Sequence, residues 1–172
     1  MTIRPRRLRT TAAMRSLVRE TRIHPSQLVL PAFVGSTGAP ISSMPGVVRH
    51  ALDEIAGAAQ EAAALGLGGI MLFGVPEDKD EQGSGADDPA GILNLALRAV
   101  RDAVGEDLVV MGDLCLDEFT SHGHCGVLDD PGAVDNDATL DLYRAAALAQ
   151  ARAGAHVVAP SGMMDGQVGA IR

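Results

Sequence analysis

Apolar residues fall along this chain in short continuous runs, separated by longer stretches with helical periodicity. "LVLPAFV" (28–34), "LGGIMLFGV" (67–75), "DLVVMGDLCL" (107–116) and "AHVVAPS" (155–161) are the continuous runs. Each is too short for a helix core and reads as a strand buried on both faces. Between them, "ALDEIAGAAQEAAALG" (51–66) places Leu52, Ile55, Ala59, Ala62 and Ala63 on one side, with Gly66 to end the helix. "ILNLALRAVRDAVG" (92–105) again ends in glycine. "NDATLDLYRAAALAQARAG" (136–154) has Asp137 as a candidate cap and Gly154 as its stop. A short helix is predicted at 11–20, where Met14, Leu17 and Val18 share a face, and "DGQVGAIR" (165–172) reads as the opening of another.

Four strand-like runs with helices between them predict an α/β fold with a parallel sheet and helices packed on it. Two layouts compete, a doubly wound sheet and a (β/α)8 TIM barrel. No GxGxxG follows the first strand and no GxxxxGK[ST] occurs, which weakens the dinucleotide and P-loop versions. A barrel takes about 250 residues, so four βα units in 172 residues correspond to half of one. The last run stops inside an apparent helix, which adds to the expectation of a truncated chain. Polar residues cluster just past the strand ends, at Asp113, at Ser161 and in the Gly-rich "EDKDEQGSGADDP" (77–89). That is the face that carries sites in such folds. The 77–89 stretch reads as a solvated loop or as a lid hinge.

Composition refines this picture. Apolar residues make up 47% of the chain but aromatics only 2%, so Ala, Val, Leu, Ile and Met must fill the core. The net charge of −8 is a poor match to nucleic acid. The exception is residues 1–22, where Arg4, Arg6, Arg7, Arg9, Arg15, Arg19 and Arg22 face a single acid, Glu20. We read 1–22 as a basic arm with a short helix and 23–172 as the domain that holds the βα units. The arm is expected to pack on another subunit or on its own domain, with plain surface and a nucleic-acid tail as the alternatives. No stretch is long enough to span a bilayer, and the N-terminus lacks the apolar core of a signal peptide. A cytoplasmic protein is expected, where two cysteines favour metal or free thiols over a disulfide.

Both cysteines lie in "GDLCLDEFTSHGHCGVLDD" (112–130), with Asp113, Asp117, His122 and His124. If the strand stays extended to residue 117, Asp113, Cys115 and Asp117 point to one side. Gly123 and Gly126 then let the chain turn and bring Cys125 back. Two thiolates and a carboxylate suit zinc, and three protein ligands leave a fourth position open, as in catalytic sites. His122 or His124 is the other candidate for that position. The competing readings are a small buried Cys115 with a loop thiol at Cys125, and a disulfide.

"DLCLDEFTSHGHCG" resembles the metal-binding segment of the delta-aminolevulinic acid dehydratase (porphobilinogen synthase) family. The basic N-terminus, "SMPGVVRHALDEI" (43–55) and "VVAPSGMMDGQVGAIR" (157–172) resemble it too, so the likeness covers nearly the whole chain. The resemblance implies a (β/α)8 barrel, of which these residues are the first four βα units. It implies condensation of two 5-aminolevulinate molecules to porphobilinogen with loss of two waters, in tetrapyrrole and heme biosynthesis. It also implies a homo-octamer, in some relatives a hexamer, assembled through the arm; the acidic charge and the lack of a spanning stretch speak against nucleic acid and membrane as partners. Zinc-dependent members hold the ion with three cysteines. Their first and third positions fall on Cys115 and Cys125, and the second falls on Asp117, a departure. Magnesium-type members carry aspartates here, so Zn2+ is expected, with Mg2+ as the alternative at this site or as a separate allosteric ion. Asp113 resembles an active-site carboxylate and Ser161 a residue near the substrate; nothing carries over to Gly162. His122 and His124 are expected to shape the loop first and to act as ligands second. The family's two Schiff-base lysines come from later strands, and the single lysine here, Lys79, matches neither. The 172 residues alone are therefore expected to be inactive. The alternative is a non-catalytic truncated paralogue that only binds metal or joins an oligomer.

Overall fold

A computed structural model describes residue 3, residues 6–130 and residues 132–172. Among these, six strands form one sheet in the order β2-β3-β1-β4-β5-β6. The strands are β1 (Val29–Gly35), β2 (Ala39–Pro40), β3 (Val48–Ala51), β4 (Gly69–Gly74), β5 (Val109–Leu114) and β6 (Val157–Pro160). The run β1-β4-β5-β6 is parallel throughout, and each of these strands leads to a helix. The helices are α1 (Ala12–Leu17), α2 (Ile55–Ala64), α3 (Ile92–Val104), α4 (Asn136–Arg152) and α5 (Gln167–Ile171).

The predicted strands thus stand: β1 is shifted by one residue from its apolar run, and β4, β5 and β6 are shorter than theirs. The β2–β3 pair was not expected; it is antiparallel within itself and adds β3 parallel to β1. Because Ala51 ends β3, the helix expected from residue 51 starts only at Ile55, after a turn in which the Glu54 carboxylate accepts from the Ala51 N–H at 3.1 Å. The α4 cap is Asp135, whose side chain accepts from the Ala138 N–H, and not Asp137, which sits inside the first turn. There its charge still favours the helix N-terminus. The 11–20 helix is reduced to α1, capped by Thr11.

Alternation along the strands sorts the two faces. Ala32, Val34, Ile70, Leu72, Val110 and Leu114 point to the helices and are buried. They meet Ile55, Ala59 and Ala62 of α2, Leu93, Leu97 and Val100 of α3, and Tyr143, Ala146 and Ala147 of α4. Alanine is frequent at these contacts because the helices lie close to the sheet. Gly74 shows how close: a Cβ there would stand 2.8 Å from Leu93 Cβ. Among the described residues the opposite face carries no helix. Phe33 and Phe73 are register partners on it, with ring centroids 5.3 Å apart, and Met71, Met111 and Val157 form the next row. Val29, Val109 and Val157 remain about two-fifths exposed at its lower edge. In a (β/α)8 barrel this face is the packed interior.

The arm does not pack on its own domain. Apart from half-buried Met14, every described residue from Ile3 to Val29 is exposed. Arg4 lies outside the described residues. No helix among the described residues is long and apolar enough to cross a membrane.

Candidate metal loop and active site

The strand that carries the site stops sooner than the spacing suggests. Strand β5 ends at Leu114, and the chain turns at once, with the Phe119 and Thr120 N–H groups both donating to the Leu116 carbonyl. Cys115, Asp117 and Cys125 still converge, by way of this turn and not an extended backbone. Their candidate ligand atoms all lie within 4.8 Å of one another. Gly123 permits the return with φ of +73°, a value that disfavours a side chain. Gly126 serves differently: a Cβ on it would stand 2.6 Å from Thr139 Oγ1 and 2.8 Å from Val134 Cγ1.

The far limb of the loop is fastened to the start of α4. The buried Val127 N–H donates to Thr139 Oγ1 at 3.1 Å, and that hydroxyl donates to the Asp135 carbonyl at 2.5 Å. The near limb is stitched to the acidic loop after β4. The Ser121 N–H donates to the Asp80 carbonyl at 2.8 Å, and the Asp80 N–H donates to the Phe119 carbonyl at 3.3 Å.

Both cysteines are free thiols, which removes the disulfide reading. Neither histidine joins the cluster. His122 Nδ1 accepts from the His124 N–H at 3.1 Å, and Nε2 lies 3.2 Å from the Glu81 carbonyl. That pattern fits the neutral ring with its proton on Nε2, and it occupies both nitrogens. The Thr120 hydroxyl holds the His124 carbonyl at 2.9 Å. The histidines shape the loop, as expected of them.

The ionisable groups of this loop are crowded together and partly buried. Burial pushes the Cys115 thiol up to about 12, helped by its hydrogen bond with Asp117. Burial likewise raises Glu118 to about 8, with the neighbouring Asp117 and Asp113 carboxylates adding to it. Glu118 Oε2 is buried with no hydrogen-bond partner. Without a counter-charge nearby, these groups are held in their protonated, neutral forms. A divalent ion reverses the balance, because a coordinated thiol is deprotonated outright. The donor set of two sulfurs and one carboxylate fits a metal ion, and buried Cys115 beside half-buried Asp117 and Cys125 leaves one side open.

Beside this cluster, Asp113 points to the helix-free face at the end of β5 and is 6% exposed. The Ser161 hydroxyl, just past β6, donates to Asp113 Oδ1 at 2.9 Å. Burial raises the Asp113 carboxyl; the Ser161 hydrogen bond offsets part of this, and the Asp117 charge adds to it. The two residues named from sequence are therefore one hydrogen-bonded pair. Glu118 and Tyr143 were missed. No spacing in the sequence singles out Glu118, and the only signal for Tyr143 was its being the single tyrosine of an aromatic-poor chain.

Parallel βα units with a carboxylate, a hydroxyl and a thiol-rich loop gathered past the strand ends define a barrel-type α/β protein with a candidate metal loop. Comparison with known proteins makes this specific. The family model for delta-aminolevulinic acid dehydratase matches residues 2–172, and the chain belongs to that family. It is 63% identical to the delta-aminolevulinic acid dehydratase of Streptomyces coelicolor and 60% identical to that of Mycobacterium tuberculosis. Each match covers 98% of this chain and 53% of the relative, so the chain spans about half the length of these relatives. The fold matches a crystal structure of the Toxoplasma gondii enzyme in complex with its reaction product porphobilinogen, with TM-score 0.92 and 38% identity. That match covers 100% of this chain and 50% of the other.

Proposed function

We propose that this chain supplies the metal-loop half of a porphobilinogen synthase, which condenses two 5-aminolevulinate molecules with loss of two waters. The observation that carries the reading is the Cys115, Asp117 and Cys125 cluster beside the Asp113–Ser161 pair, in a chain of this family. Ser161 occupies one oxygen of Asp113 and fixes the carboxyl's orientation. The other oxygen is left to hold a substrate amine or to take a proton from it, and burial strengthens either contact by excluding water. Cys115, Asp117 and Cys125 would hold the ion. Zinc is preferred, since two thiolates suit it and not magnesium, which demands oxygen ligands in near-octahedral array. When bound, the ion supplies positive charge and Lewis acidity next to the carboxylate pair.

Lys79 is exposed in the acidic loop after β4, and it matches neither lysine position that the resemblance implies. The Schiff-base lysines implied by the resemblance therefore come from outside these residues. The exposed arm, with Ile3, Leu8 and Leu17 among its arginines, suits packing on a second copy in a cytoplasmic homo-octamer. The test is to supply 5-aminolevulinate to the full-length zinc-loaded protein and measure porphobilinogen. Product formation that falls sharply in Asp113→Asn supports the reading. Metal binding without product overturns it in favour of a non-catalytic paralogue.

A further inference from the structure

Three residues on one face of α4 hold the two loops of the site. Asn136, Thr139 and Tyr143 follow a three-then-four spacing, which places them in line on a helix. Thr139 fastens the metal loop. Asn136 fastens the loop after β6, accepting from the Asp165 N–H at 2.8 Å and donating to the Asp165 carbonyl at 3.3 Å. Tyr143 reaches both loops. Its ring is fully buried, and its hydroxyl donates to the Cys125 carbonyl at 3.0 Å and lies 3.4 Å from Cys115 Sγ. On its other side the hydroxyl fills the space above Gly162. A Cβ on Gly162 would collide with the hydroxyl oxygen and stand 2.7 Å from Cζ. Gly162 has no room to withdraw, since Gln167 Nε2 donates to its carbonyl at 3.0 Å and Gln167 Oε1 accepts from the Met164 N–H at 3.1 Å.

We propose that Tyr143 is a positioning residue for the metal site, its hydroxyl setting the spacing and donor strength of the Cys115–Cys125 pair, and that Gly162 is the notch that admits it. A phenol carries one proton. With a neutral thiol at Cys115 the Cys125 carbonyl is the better acceptor. With a metal-bound thiolate the sulfur competes for that proton, and such charge-assisted bonds are the stronger class. The inference rests on the three residues being metal ligands, and groups standing directly behind ligands typically change metal affinity by about 10- to 100-fold.

The test uses full-length protein and reads metal binding, not turnover. Zinc dissociation constants are measured by chelator competition, and Co(II)-substituted protein gives the thiolate-to-metal charge-transfer band. Tyr143→Phe keeps the ring and the fold, which the melt of metal-free protein checks. It is expected to raise the zinc Kd by roughly 10- to 100-fold. It should also move the charge-transfer band to longer wavelength, because a sulfur that loses a donated proton holds its electrons less tightly. A purely structural ring would not shift that band. Gly162→Ala should weaken zinc in the same way but should cost little more when added to Tyr143→Leu, where nothing fills the notch. A wild-type Kd and unshifted band in Tyr143→Phe overturn the proposal, as does an equal Gly162→Ala penalty in both backgrounds. If Cys115→Ala, Cys125→Ala protein binds zinc like wild type, it is the ligand assignment that fails, a distinct outcome.

Discussion

Replacing Thr139 by valine tests whether the metal loop is held by α4. The side chains are nearly the same shape, so the change removes one hydroxyl and little else. That hydroxyl accepts from the Val127 N–H at 3.1 Å. Val127 is 5% exposed, so water cannot readily take over. A buried donor left without a partner costs about 1–3 kcal/mol. The methyl takes the place of Oγ1, which a Cβ on Gly126 would meet at 2.6 Å, so only glycine at 126 leaves it room. If the cost falls on the closed loop, its opening equilibrium changes by about 5- to 150-fold. Hydrogen exchange over residues 120–130 of the full-length protein should quicken within that range, while β1 and β4 keep wild-type protection. The zinc Kd should rise by up to the same factor, since only the closed loop presents Cys125. Thr139→Ser keeps the hydroxyl and should exchange like wild type. Unchanged exchange and unchanged zinc affinity in Thr139→Val would refute the reasoning.

The Asp80 carboxyl should titrate below its ordinary value, chiefly because the Ser84 hydroxyl donates to it, with the Ser84 and Gln82 N–H groups adding to this. A lowered folded value means that the turn's added stability is present above the unfolded value of about 3.9 and is lost as pH falls through the folded one. Ser84→Ala should raise the midpoint in a carbon NMR titration, and an identical midpoint would count against the turn. Deleting residues 1–12 from the full-length protein should lower its mass in solution below that of the proposed octamer; an unchanged mass would remove the arm from assembly. Residues 1–172 expressed alone should form no porphobilinogen and should associate or aggregate, because the helix-free face exposes Val29, Val109 and Val157 and β6 has no second partner among the described residues. A soluble monomer with a sharp cooperative melt would sink the folding part, and turnover would direct attention to Lys79.

The strands and helices that frame the site could be read from sequence because each is specified locally. A buried parallel strand must be a continuous apolar run, and Gly105 and Gly154 end their helices with positive φ. The β2–β3 pair escaped because its strands are two and four residues long and owe their pairing to β1, a tertiary partner. The same strand displaced the start of α2. The choice between Asp135 and Asp137 as cap turns on a two-residue register that composition leaves open. At the site, residue types revealed Cys115, Asp117 and Cys125, but the geometry behind the reading was wrong in one respect. An extended strand to 117 would have aligned the residues by alternation, whereas the chain turns at Leu116 and brings them together through loop contacts. Tyr143 and Glu118 matter only because the loop folds back over α4, and no spacing along the chain encodes that return.

The most direct test of the account is a zinc titration of metal-free full-length protein in which bound metal and porphobilinogen formation are followed together. The account predicts that activity rises in step with zinc bound at Cys115, Asp117 and Cys125, and that Cys115→Ala, Cys125→Ala protein gains neither. Full activity without metal, or equal zinc in the two proteins, would contradict it.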